Sequence, residues 1–144
     1  MFQRILLPLD GSKTAEKVLL FGQKEAKLHR ATIILLRAIA PLRQSLIQVP
    51  SVVDNVYQQI ENIALDYLEN VAKKLQEEEI DIEIITKQGH PAQCILESAN
   101  EQNCDLIIIG THGETDSPRW RFGGIAGKIV KAKISIPLLI IPTN

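Results

Sequence analysis

With 144 residues, 45% hydrophobic and 23% charged, the chain fits one compact domain, residues 1–144, and excludes disordered, collagen-like and low-complexity classes. Sixteen basic against seventeen acidic residues leave a net charge of −1, which supplies no general pull toward nucleic acid or an anionic membrane, and 4% aromatic content argues against a base-stacking platform. The apolar runs are a few residues long where a bilayer span needs ~20, and no basic segment with a long apolar stretch opens the chain, so a cytoplasmic protein without membrane association is expected.

Residues 5–9 read as strand 1, and Asp10, Gly11 and Ser12 follow as a turn. Ala15, Val18, Leu19, Gly22 and Ala26 then recur at helical spacing, with Ser12 as the expected N-cap. Residues 32–39 are rich in β-branched side chains and read as strand 2, with Arg37 as its one charge. Residues 40–51, with Pro41 and Pro50, read as a loop. A long amphipathic helix runs from Val52 to Leu75, and its charges Glu61, Asp66, Glu69, Lys73 and Lys74 form a solvated face.

Strand 3 is placed at residues 80–86, where Ile80, Ile82 and Ile84 alternate with Asp81 and Glu83. Gly89, His90 and Pro91 turn the chain into helix 3, which carries Ala92, Ile95, Leu96 and Ala99, and Pro91 suits the first helical position. Residues 105–109 read as strand 4, residues 110–122 as a glycine-containing loop, and Ile125, Ala126, Ile129 and Val130 as helix 4. Strand 5 spans residues 136–141. Cys94 and Cys104 lack metal-ligand spacing and are expected as buried, neutral thiols.

Alternating strands and helices imply an α/β fold, an open parallel sheet of five strands with helices on both faces, Rossmann-like in architecture. Strands 1, 2, 4 and 5 read as nearly continuous apolar runs, as strands covered on both faces do, with Arg37 the one charge inside strand 2. Strand 3 alternates and belongs at an edge. Strand 5 at the other edge would need a cover, and a second copy of the chain is the simplest one.

Ligands of open parallel sheets bind beyond the carboxyl ends of the strands. Strand 1 ends in Pro8-Leu9-Asp10-Gly11-Ser12, and strand 4 ends in Gly110-Thr111-His112-Gly113. Nine residues later Gly123 and Gly124 open helix 4. Glycine lets a backbone approach a phosphate closely, and a helix N-terminus adds free N–H donors. Gly110, Gly113, Gly123 and Gly124 are therefore candidates for a phosphate cradle. Asp10 is placed to accept from a base or ribose, or to ligate a divalent cation such as Mg²⁺ bridging the phosphates.

Plainer readings stand beside these. Asp10 can serve only to cap its turn, His112 can be a solvated loop residue, and Arg119 and Arg121 can be a solvated pair rather than a lid over phosphate. Trp120 between them either anchors the loop or meets a partner. A P-loop is excluded because positions 122 and 129 are Phe and Ile around Gly127-Lys128. No G-x-G-x-x-G or G-x-S-x-G follows a strand, and no nucleophilic triad is evident.

The spacing Gly110-x2-Gly113-x9-Gly123 resembles the glycine pattern of universal stress proteins. The resemblance spans the chain. It includes the opening Ile5-Leu6-Leu7-Pro8-Leu9-Asp10-Gly11-Ser12, the strand-4 phrase from Asp105 to Gly113, and the closing Ile136-Pro137-Leu138-Leu139-Ile140-Ile141. It implies the strand order 3-2-1-4-5 and a homodimer through strand 5, residues 136–142, with stacking into higher oligomers left open. It also implies an adenine nucleotide, ATP or AMP, as ligand. Asp10 would lie beside the nucleotide, Gly110, Gly113 and Gly123 at its phosphates, and Pro8, Ala38 and Ile109 at the adenine. Gly124 and Ile125, opening helix 4, complete the expected set.

One departure stands out. The family pattern places Ser or Thr after its third glycine, and this chain has Gly124. A lost hydrogen bond to a charged group costs about 1.5–3 kcal/mol, or roughly tenfold or more in affinity. The expected function is thus a nucleotide-dependent regulatory dimer of the stress response. The alternatives are an interaction module of the same fold without nucleotide, and a slow metal-dependent ATPase.

Overall fold

Three apolar runs become the middle of one parallel sheet and a fourth becomes one of its edges, and the polar-apolar segments between them become its covering helices. The computed structural model describes residues 1–42, 50–111 and 124–143. In chain order the elements are β1 (Arg4–Pro8), α1 (Ala15–His29), β2 (Thr32–Ile39), α2 (Pro50–Gln76), β3 (Ile82–Gln88), α3 (Pro91–Glu101), β4 (Leu106–Gly110), α4 (Gly124–Lys131) and β5 (Leu138–Ile141). The sheet order is β3-β2-β1-β4-β5 and every pairing is parallel, as the sequence implied. The alternating strand 3 is indeed an edge.

Side chains of a strand point alternately to the two faces, so each apolar run feeds two cores. Ile5, Leu7, Ile33, Leu35 and Ile108 meet Val18 and Ala26 of α1 and Leu68, Val71 and Leu75 of α2. Leu6, Ile34, Leu36, Ile107 and Ile109 meet Ile95 and Ala99 of α3 and Ala126 and Ile129 of α4. Helix α1 lies so near β1 that Gly22 packs directly on Leu7. Both cysteines are free and buried. Burial raises both thiols above the usual range, Cys104 to about 11.

Several boundaries differ from the sequence reading. β1 and β4 each sit one residue from their expected spans, β3 and β5 begin two residues later, and α2 begins at Pro50 rather than after a loop ending at residue 51. Proline fits a first helical turn because its missing N–H has no partner there anyway. Ser12 is not the cap of α1. Thr14 occupies that position without a side-chain bond to the helix, and the Ser12 and Thr14 hydroxyls lie 2.7 Å apart. The chain makes tight i to i+3 bonds first, Glu16 N–H to Lys13 O and Lys17 N–H to Thr14 O, both 3.2 Å, which delays the helix. Among the described residues no helix is long and apolar enough to cross a membrane.

Candidate functional site at the carboxyl ends of β1 and β4

The strand order reverses between β1 and β4, and this is where an open parallel sheet has its crevice. Here the crevice has a local cause. β1 pairs with β2 along its whole length, from Arg4–Thr32 to Pro8–Leu36. With β4 it pairs only at Ile5–Leu106 and Leu6–Ile107. In that register the next rung falls to the N–H of residue 8, and proline has none. The β1–β4 ladder therefore stops at Leu6, and the two chain ends part above it.

At the mouth of this gap the chain turns through Leu9, Asp10, Gly11 and Ser12. Leu9 stays tied to β2, its N–H donating to the Leu36 carbonyl at 2.8 Å. The Asp10 Oδ1 accepts the Ser12 N–H at 2.9 Å, so the carboxylate does shape its own turn. Gly11 has φ +82°, a left-handed conformation that glycine adopts without a Cβ penalty. Across the gap, Gly110 ends β4. Thr111 follows, its N–H donating to the Ile141 carbonyl at 2.9 Å. The Thr143 N–H donates to the Thr111 hydroxyl at 3.1 Å, so the end of β5 fastens the end of β4.

Pro8, Ala38 and Ile109 lie on one face of the sheet. Each stands two residues beyond a member of the α3/α4-side core, namely Leu6, Leu36 and Ile107, and so projects from the same face of the sheet near its carboxyl end. Pro8 and Ala38 are half-buried and Ile109 is buried. Gly124 opens α4 and is exposed, whereas Ile125 is half-buried and packs against the α3/α4-side core. Gly113, Gly123, His112, Arg119, Trp120 and Arg121 lie outside the described residues. Two open cavities of about 630 and 620 Å³ occupy the opposite pole, among Lys27, Arg30, Glu78 and Glu79 and beside Arg4 and Glu83. Their walls are solvated charges at the amino ends of the strands, away from the carboxyl-end switch point where ligands of open parallel sheets bind.

Two residues that motif reading passed over also reach the turn. Arg37 of β2 sends its guanidinium along the α1/α2 face, where Nη1 lies 3.4 Å from the Leu9 carbonyl. Its Cζ stands 5.7 Å from the centre of the Tyr67 ring on α2. Burial lifts the Tyr67 phenol above the usual tyrosine range. Arg37 pulls it back, and Asp10 and Glu16 push it further up. The one signal for this in the sequence was a lone charge inside an apolar strand.

The broken ladder, the carboxylate turn and the glycine at the end of β4 thus stand together at the switch point of the sheet. The universal stress protein family model matches residues 1–142. The universal stress protein YxiE of Bacillus subtilis is 28% identical over 148 residues, which cover 98% of this chain and 99% of YxiE. The solved structure of MJ0577 from Methanocaldococcus jannaschii is similar at a TM-score of 0.86 and 27% identity, over 100% of this chain and 98% of that one. A universal stress protein from Archaeoglobus fulgidus, solved in complex with dAMP, shares the fold at a TM-score of 0.67 and 21% identity, over 96% and 97% of the two chains. Matched from the first strand to the last in both sequence and topology, the chain belongs to the universal stress protein family.

Proposed function

We propose that this protein is an adenine-nucleotide-binding regulator whose site is the gap between the carboxyl ends of β1 and β4. The observation that carries the reading is the broken β1–β4 ladder, which ends at Leu6 and Ile107 with Asp10 on one lip and Gly110 on the other. Pro8, Ala38 and Ile109 would wall the adenine, and Asp10 would meet the base or ribose. Gly110, Gly113, Gly123 and the backbone of Gly124 would meet the phosphates, with Ile125 behind them. The dAMP bound by the Archaeoglobus protein supports this ligand class.

A divalent cation fits this donor set only as a companion of the nucleotide. Among the described residues no three His, Cys, Asp or Glu groups are clustered to hold a metal ion. Mg²⁺ keeps several waters and is commonly held by one or two carboxylates plus phosphates. Asp10 would supply one such oxygen.

The assembly we propose is a homodimer through the β5 edge. Ile107 N–H bonds to the Pro137 carbonyl and Thr111 N–H to the Ile141 carbonyl, so alternate residues of β5 face β4. Leu138 and Ile140 then turn their backbone N–H and C=O outward, a template for a second strand.

The deciding experiment has two parts. Mass spectrometry of small molecules released by denaturing fresh protein is expected to find an adenine nucleotide. Equilibrium titration with ATP, ADP and AMP, with and without Mg²⁺, is expected to show binding that Asp10→Ala abolishes. No binding at millimolar nucleotide would overturn the reading and favour an interaction module without nucleotide.

A further inference from the structure

Arg37 stands out as a charge in the middle of an apolar sheet. Its neighbours on the same face, Leu35 and Ile39, are buried, and it is half-buried itself. A guanidinium taken from water into such a place is costly unless other groups replace the water. The groups that do so here belong to the turn after β1 and to α2.

Residue Leu9 is gripped twice by consecutive residues of β2. Its N–H goes to the carbonyl of Leu36, and its C=O faces Nη1 of Arg37. The guanidinium then lies against Gly11. A Cβ built on Gly11 would stand 3.0 Å from Nη1 and 3.4 Å from Nη2, so a side chain here, already strained by the φ of +82°, would also nudge the guanidinium away. The Tyr67 ring is also near, with its centre 5.7 Å from Cζ. Asp10 and Glu16 share this neighbourhood, since both act on the Tyr67 phenol. Lysine would not substitute. A planar guanidinium can lie flat against the turn while pointing a donor at the carbonyl, whereas an ammonium is a compact point charge that would replace only part of these contacts.

We propose that Arg37 is a positioning residue of the site: lying against Gly11, near the Tyr67 ring and pointed at the Leu9 carbonyl, it holds the turn of Leu9, Asp10, Gly11 and Ser12 in the shape that presents the Asp10 carboxylate to the ligand. The second half of this statement rests on the nucleotide reading above; the first half stands on the turn alone. Through Tyr67 the same contact ties the turn to α2.

The test uses the whole protein and two readouts. Amide hydrogen exchange of Ser12, whose N–H is held by Asp10, reports the turn whether or not a ligand binds. Titration with AMP and ATP reports the site. Arg37→Met is expected to speed Ser12 exchange by about tenfold and weaken nucleotide binding by about tenfold, the scale of one charge-assisted contact, with Leu6 and Leu7 exchange unchanged. Arg37→Lys is expected to recover only part of either loss, and Tyr67→Phe, which keeps the ring, to change both by less than about twofold. Should Arg37→Met fail to fold, Tyr67→Leu removes the supporting ring and is expected to speed Ser12 exchange in the same way. Ser12 exchange unchanged in a folded Arg37→Met protein would overturn the proposal. A parent protein that binds no nucleotide would overturn the proposed function instead, and Ser12 exchange would still decide the role of Arg37.

Discussion

Gly22 offers the sharpest test of how closely α1 packs on the sheet. A methyl group on its Cα would stand 2.5 Å from Leu7 Cδ1 and 3.1 Å from Cδ2. Leu7 is fully buried among Val18, Ala26, Leu35 and Leu68, so its methyl groups have nowhere to retreat. Two effects oppose each other in Gly22→Ala. Alanine is better than glycine in a helix interior by ~0.8–1 kcal/mol. An extra methyl forced into a close-packed core costs ~1–3 kcal/mol. The clash wins, and we expect a net loss of about 1 kcal/mol. In a Leu7→Ala background the obstacle is gone. Leu7→Ala alone should cost ~2–5 kcal/mol. Adding Gly22→Ala to it should then restore about 1–2 kcal/mol, from helix propensity and from refilling part of the cavity. The same substitution thus changes sign between backgrounds. Urea unfolding of the four proteins, followed by circular dichroism, measures it. An equal effect in both backgrounds, or a parent stabilised by Gly22→Ala, would refute the packing argument.

Three further outcomes follow from other parts of the molecule. Pro8→Ala supplies the missing N–H for the next β1–β4 rung; AMP affinity is expected to fall severalfold while urea stability stays within ~1 kcal/mol, and unchanged affinity would separate the broken ladder from ligand binding. Cys104 keeps its proton to about pH 11 in the fold, while the unfolded thiol ionises near 9. The folded state therefore holds more protons between those values, so stability is full below pH 9 and declines from 9 toward 11. Cys104→Ser should make the decline shallower, by at most ~2–3 kcal/mol at the alkaline end. Ile140→Pro removes an outward N–H from β5 and none that faces β4; sedimentation is expected to shift from dimer to monomer with the far-ultraviolet spectrum kept, and a dimer that survives would place the interface elsewhere.

The architecture was legible because each strand announces its environment. The unbroken apolar runs Ile5–Leu7 of β1, Ile33–Leu36 of β2 and Leu106–Ile109 of β4 admit only strands covered on both faces, and the Ile–Glu alternation of β3 admits only an edge. The positions of Asp10 and Gly110 at two neighbouring carboxyl ends were legible because polar residues and glycines there interrupt a pattern otherwise made of packing. The start of α1 was not, because Ser12, Lys13 and Thr14 offer several ways to open a helix and the tight first bonds choose the later one. Arg37 and Tyr67 lie far apart in the chain, on a strand and on a helix. Periodicity says that each packs, but only the fold brings them to the same turn.

The short β1–β4 pairing has a mechanical meaning as well. At the opposite pole the two halves of the sheet are pinned: the Asp105 carboxylate accepts the N–H groups of Gln3 and Arg4 at 2.8–3.1 Å, and Arg4 Nε donates to the Gln102 carbonyl at 2.6 Å. The half made of β1, β2 and β3 and the half made of β4 and β5 are thus pinned at one end and unlaced at the other, and only the two cores, which draw side chains from both halves, hold them together above Leu6. Asp10 and Gly110 stand at the unlaced end. A ligand bound across those lips, as proposed above, would supply with its own contacts the lacing that Pro8 denies the backbone.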